Sequence, residues 1–251
     1  MAEAIPDKAL PTNVSIYDVL KAFAVIIMIV DHVGYYFYPD EMWFRAVGRI
    51  GFPVWFFLIG YGRSQRIPSS FWIGGLMLSA TDIALGMVPL PLNALFSMAF
   101  IRLTLHPLMK AVGRHQWILY LILLACFPAY YPTSTVFEYG TLGFAFAMLG
   151  YIVRHDKDYK TDFIQNFGLM CLAIFCLVAH MKYNFNIIQD VFNVILSGAV
   201  TAILIYYLPK QETYPQLDGK PLLKWPLQFM GRYTLHIYVA HLVLFKILAF
   251  S

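Results

Sequence analysis

The stretch Ile16-Tyr-Asp18-Val-Leu-Lys21-Ala-Phe-Ala-Val25-Ile-Ile-Met28-Ile-Val-Asp31-His32-Val-Gly34-Tyr-Tyr-Phe37 decides the fold. As an α-helix it would run about 33 Å at roughly 1.5 Å per residue. That covers the ~30 Å hydrocarbon core of a bilayer. Its apolar run is interrupted near one end by Asp18 and Lys21 and near the other by Asp31 and His32. Ionisable groups inside a span are costly, and where kept they mark a proton path, an ion site or chemistry. Lys21 and His32 project from nearly the same side, roughly 16 Å apart along the axis, with Val25 and Met28 between them.

The rest of the chain has the same character. Of its 251 residues 60% are hydrophobic and only 13% charged, with a mean hydropathy of +0.64. Soluble domains carry about a quarter charged residues, so a chain this apolar is not solvated on all sides. Cys126, Cys171 and Cys176 lie in apolar runs without metal-ligand spacing and read as small core residues. No metal site and no nucleic-acid partner are expected. Residues 1–15 hold Glu3, Asp7 and two prolines instead of a basic start and short apolar core, so no cleavable signal is expected there.

The fold class is therefore an all-α polytopic membrane protein, a single bundle of about nine transmembrane helices over 16–251 after a short cytoplasmic segment, 1–15. The spans are placed near 16–37, 43–61, 71–88, 91–109, 116–132, 137–153, 163–181, 187–208 and 228–249. Only Met87–Asn93 separates the third from the fourth, which leaves a re-entrant pair open. With the N-terminus in the cytoplasm, the inner segments carry thirteen of the lysines and arginines: Lys8, Arg63, Arg66, Arg102, Lys110, Arg114, Arg154, Lys157, Lys160, Lys210, Lys220, Lys224 and Arg232. The outer side carries only Lys182 and Lys246, whereas Lys21, Arg45 and Arg49 lie within spans. That asymmetry orients the chain, and an odd number of spans puts the C-terminus outside.

Depth then gathers the chemistry. Counting the helical rise from the outer ends puts His32 about 7–8 Å deep, Arg49 about 9 Å and His241 about 12 Å. Asp31, Asp82 and Glu138 fall in or near the same layer. An imidazole there can take a proton from an attacking nucleophile. Arg49, between Gly48 and Gly51, is suited to an oxyanion or a substrate carboxylate, or else to pairing with Asp31 or Asp82. Asp18 and Lys21, three apart, can pair at the inner interface. Arg63, Arg66, Arg102 and Arg114 crowd two inner loops, as positive-inside sorting alone would place them or as an anionic cofactor would need them. Gly231, Thr234, Tyr238 and His241 share one face of the last span, and the Tyr35–Tyr38 cluster reads as an interfacial belt. On residues alone, acyl transfer and proton-coupled transport fit equally well. A haem or quinone protein with His32 and His241 as axial ligands is a third class.

Asp18-x-x-Lys21, Asp31-His32-x-Gly34 and Gly48-Arg49-x-x-Phe52-Pro53 resemble the TraX family of membrane acetyltransferases. Lys21 and His32 also resemble the basic-x10-His pattern of the wider acyltransferase-3 superfamily. Gly231-x-x-Thr234-Leu235-x-x-Tyr238-x-x-His241 is similar to that superfamily's closing motif, with Thr for Ser and Leu for Tyr, and Arg63-x-x-Arg66 resembles its Arg-x-x-Arg element. The resemblance implies an acetyltransferase of the bacterial inner membrane, with acetyl-CoA as cytoplasmic co-substrate and an external acceptor, a pilin-like peptide or a glycan. His32 would be the catalytic centre, with Asp31 and Arg49 beside it. Lys21, Arg63, Arg66, Arg102 and Arg114 would hold the donor, and Asp18, Arg45, Asp82, Glu138, Tyr238 and His241 would bind substrate or support the site.

Overall fold

A computed structural model describes residues 12–64, 66–210, 213–217 and 219–250. Lys8 and most of the expected cytoplasmic segment 1–15 lie outside the described residues. Among the described residues the regular structure is helical, joined by two isolated bridges, Ser15 with Thr213 and Leu92 with Phe137. The helices are α1 (Ile16–Phe37), α2 (Met42–Arg49), α3 (Phe52–Tyr61), α4 (Ser69–Ala84), α5 (Ala94–Val112), α6 (Gln116–Ser134), α7 (Gly140–Arg154), α8 (Thr161–Tyr183), α9 (Ile187–Tyr206), α10 (Pro221–Arg232) and α11 (Thr234–Phe250).

Local chemistry sets the ends. Ser15 caps α1 in a reciprocal box, accepting from the Asp18 N–H while the Asp18 carboxylate accepts from the Ser15 N–H at 3.0 Å. Asp18 also meets Arg232 Nε at 3.7 Å. The carboxylate expected to pair with Lys21 therefore caps its own helix and ties it to α10. Asn93 caps α5, and Asn186 forms a second capping box with Gln189 on α9.

Helices occupy each of the nine expected segments, but fewer have the length and apolarity of a span. Five qualify: Met42–Tyr61, Ala94–Val112, Gln116–Ser134, Thr161–Tyr183 and Ile187–Lys210, with a sixth if α10 and α11 count as one bent span. α4 and α7, of 16 and 15 residues, run only about 24 and 22 Å. The 43–61 segment is divided into α2 and α3 at Ile50-Gly51 but still counts as one span. One expected span is broken. The 228–249 segment turns by 79° at Tyr233. The single face expected to carry Gly231, Thr234, Tyr238 and His241 is thus split, with Gly231 on α10 and the other three on α11.

α7 is the central post, packed against α3, α5, α6 and α8 and buried along most of its length. It meets α3 at glycines: a Cβ on Gly60 or Gly150 would strike the partner's backbone, so the two helices cross closely. α1 lies beside this core between α2, α3, α10 and α11, and α4 packs on α5 and α11. Trp72, Leu76, Trp117, Leu169, Ile187 and Ile195, among many other large apolar side chains, remain exposed on the periphery. That is the surface a bilayer would cover.

Candidate functional site

The site is built where α1, α2 and α11 meet. His32 Nδ1 lies 2.7 Å from His241 Nε2, and His241 Nδ1 lies 2.6 Å from the Ile237 carbonyl oxygen. A carbonyl only accepts, so His241 Nδ1 carries a proton and its Nε2 is the acceptor when the ring is neutral. His32 then donates through Nδ1, which leaves its Nε2 as a lone pair. The two rings stack with centroids 5.0 Å apart. The residues named as possible opposite haem ligands are therefore bonded to one another.

Asp31 is engaged elsewhere. It is 3% exposed, and its Oδ2 pairs with Arg45 Nη1 at 3.0 Å and with Arg49 Nη2. Arg45 also donates to the Asp31 carbonyl at 3.1 Å and to the Tyr183 hydroxyl at 3.2 Å. Both guanidiniums sit 5.2 Å from the centre of the Tyr183 ring. Asp31 Oδ1 and Arg49 Nε are buried with no partner among the described residues. Asp31, expected beside His32, anchors two arginines of α2, which includes the pairing with Arg49 that the sequence left open, and His32 takes its direct partner from α11. Gly48 makes this possible, because a Cβ there would overlap the Asp31 carboxylate.

Around this pair opens an outer cavity of about 720 Å³. Its walls include His32, Asp31, Arg45, Arg49, Asp82, Glu138 and Tyr238. Of the residues expected in one layer from helical rise alone, His32, Arg49, Asp31, Asp82 and Glu138 share this space, whereas His241 is not among its wall residues. Glu138 is placed there by the bridge between loops: Leu92 N–H donates to the Val136 carbonyl at 2.7 Å and Glu138 N–H to the Leu92 carbonyl at 2.9 Å. Asp82 pairs with Lys246. Tyr35 and Tyr36, read as an interfacial belt, line this cavity, as do Tyr139, Lys182 and Tyr183. Aromatics at a span end carry the belt signature whichever way they face, and that concealed them.

Below it lies a middle cavity of about 290 Å³, mostly apolar, walled by Lys21, Met28, Phe52, Trp55, Met98, Arg102, Leu235 and their neighbours. It shares Asp31, Arg49, Tyr139 and Tyr238 with the outer cavity. An inner cavity of about 210 Å³ follows, sharing Ile59 and Arg102 with the middle one. Its walls carry Arg63, Arg102, Arg154, His106 and His155 and no carboxylate. Arg102 Nε is buried without a partner among the described residues. Arg66 holds Arg102 through its carbonyl, which accepts from Nη1 at 2.9 Å. Arg114 is exposed and pairs with Asp158, and it is not among the wall residues. Arg154, which the sequence grouped only with the inner loops, takes a place in the wall. Lys21 and Met28 in the middle cavity and His32 in the outer one follow the α1 stripe.

Apolar helices of spanning length around a histidine-bearing cavity define a polytopic α-helical membrane protein. A family model, TraX protein, matches residues 17–249, and the chain belongs to that family. It is also similar to an uncharacterised protein of Rickettsia prowazekii (strain Madrid E), at 29% identity over 167 residues, or 66% of this chain. The match spans 64% of that relative's own length. No solved structure matches.

Proposed function

We propose that this TraX-family protein is a multi-pass inner-membrane acetyltransferase with nine spans, its N-terminus in the cytoplasm and its C-terminus outside. It moves an acetyl group from cytoplasmic acetyl-CoA to an amine or hydroxyl at the outer cavity, on a pilin-like peptide or a glycan. The observation that carries this reading is the run of three cavities with shared walls, from an acid-free basic chamber to His32. The phosphates of the donor suit Arg63, Arg102 and Arg154. The pantetheine arm suits the apolar middle cavity, along the roughly 16 Å from Lys21 to His32.

In the reaction the acceptor nitrogen or oxygen bonds to the thioester carbonyl carbon while His32 Nε2 takes its proton. His241 holds the base in the required tautomer. Arg49, beside the forming oxyanion, stabilises the tetrahedral intermediate. The C–S bond then breaks, and the departing sulfur receives the proton from His32 as free CoA. Asp31 holds the two arginines in place.

The test is purified protein with labelled acetyl-CoA and candidate peptide and glycan acceptors. Transfer should be lost in His32→Ala while the protein still folds and inserts. Near-normal turnover by that variant would sink the mechanism, and solute transport without any acyl transfer would favour a carrier.

A further inference from the structure

α10 plays no part in the chemistry above, yet its surface is unusual for a helix packed on a bundle. One face, with Gly231, lies on the inner end of α1, where a Cβ on Gly231 would strike the Asp18 backbone; beside it Gln228 Nε2 donates to the Thr12 carbonyl at 2.9 Å, and Arg232 meets Asp18. The opposite stripe carries Leu222, Trp225 and Phe229 at helical spacing, 89%, 66% and 41% exposed. Trp225 stacks on Phe229 with centroids 5.1 Å apart, and Phe229 on Tyr233 at 5.3 Å. The result is a continuous exposed aromatic ladder.

Twelve residues make only about 18 Å of helix, too short to cross a bilayer. α10 also stands at 79° to α11, so where α11 spans, α10 lies along the membrane plane. Lys220 precedes it and Lys210 lies on the preceding segment, both exposed. Apolar and aromatic side chains on one stripe with lysines at the edge are the signature of an interfacial helix, and tryptophan and tyrosine favour the headgroup level.

We infer that α10 seats on the anionic headgroup layer of the inner leaflet, with Leu222, Trp225 and Phe229 inserted and Lys210 and Lys220 on the headgroup charges. The seat is coupled to the donor path. Asp18, which α10 holds through Arg232, is one turn from Lys21, and Thr234 and Leu235, just past the bend, also wall the middle cavity. Lipid that fixes α10 therefore fixes the inner mouth of that cavity. The coupling rests on the acyl-transfer reading, whereas the seat itself does not.

The experiment uses the full chain in phosphatidylcholine vesicles with and without phosphatidylglycerol. A fluorescent label is placed at Leu222→Cys in a Cys176→Ser background, and quenching by lipid-borne and by aqueous quenchers is compared. The expected result is quenching from the lipid side, strengthened by phosphatidylglycerol. Lys210→Glu with Lys220→Glu should abolish that strengthening, since each lysine near an anionic surface is worth about fivefold in partition. Quenching from water alone, or shielding from both quenchers as under a second protein copy, overturns the inference. So does a phosphatidylglycerol effect that survives the double reversal. With the seat established, the apparent KM for acetyl-CoA should fall with phosphatidylglycerol in the unmodified chain but not in the double variant. A seated helix with lipid-independent KM would refute the coupling alone, and absence of all acetyl transfer would refute the enzymatic reading while the quenching result stands.

Discussion

Replacing His241 with alanine removes the acceptor of the His32 Nδ1 proton and leaves that donor facing an apolar methyl group. The bond is 2.7 Å long and partly buried. A buried donor left without its partner costs about 1–3 kcal/mol. If that cost falls on the positioned base in the transition state, kcat/KM drops by roughly 5- to 150-fold, at about 1.36 kcal/mol per tenfold. His241→Gln can present a carbonyl oxygen to the same proton and should recover most of the loss. Initial rates of labelled acetyl transfer, with thermal unfolding of each variant as a folding check, measure both effects. The decisive comparison is the double variant: if His241 acts through His32, adding His241→Ala to His32→Ala should change the residual rate little. A glutamine variant as slow as the alanine one, or additive losses in the double variant, would refute the tautomer argument.

Two further outcomes follow from the geometry. Arg102→Ala or Arg154→Ala should raise the KM for acetyl-CoA by about 10- to 100-fold, the worth of a hydrogen bond to a charged group. Arg114→Ala, at an exposed pair with Asp158, should alter it far less, and equal effects at all three would remove the inner cavity from the donor site. Gly48→Ala places a methyl group on the Asp31 carboxylate and should lower stability by about 1–3 kcal/mol. An unchanged melting temperature in detergent would show that α1 and α2 are not packed this closely.

Much of the site was legible because helical periodicity is a strong signal. Lys21, Met28 and His32 could be put on one stripe of α1, and helical rise alone placed His32, Arg49, Asp82, Glu138 and His241 at similar depth. Pairing within that layer was legible only as alternatives: Arg49 with Asp31 was one of them, whereas His32 with His241 was not foreseen. Asp31 is adjacent to His32 in sequence, but neighbours on a helix point about 100° apart, and the carboxylate goes to Arg45 and Arg49. Arg154 was hidden because a basic residue at an inner helix end satisfies positive-inside sorting whatever else it does. The bend at Tyr233 was missed because the apolar run continues through it, and hydropathy does not sense direction.

Motifs in the sequence were enough to place this chain in the TraX family, and composition and periodicity to make it an apolar, all-helical membrane protein with ionisable groups kept among its apolar helices. Composition and a 3.6-residue period settle such properties because burial in lipid depends on each residue's own polarity. Only the tertiary structure decided that His241 holds His32, that Asp31 is bound by two arginines, that three cavities share walls and that α10 turns out of line. Those outcomes depend on which helices pack together, through contacts between residues as far apart as 32 and 241, and a local pattern carries no information about such partners.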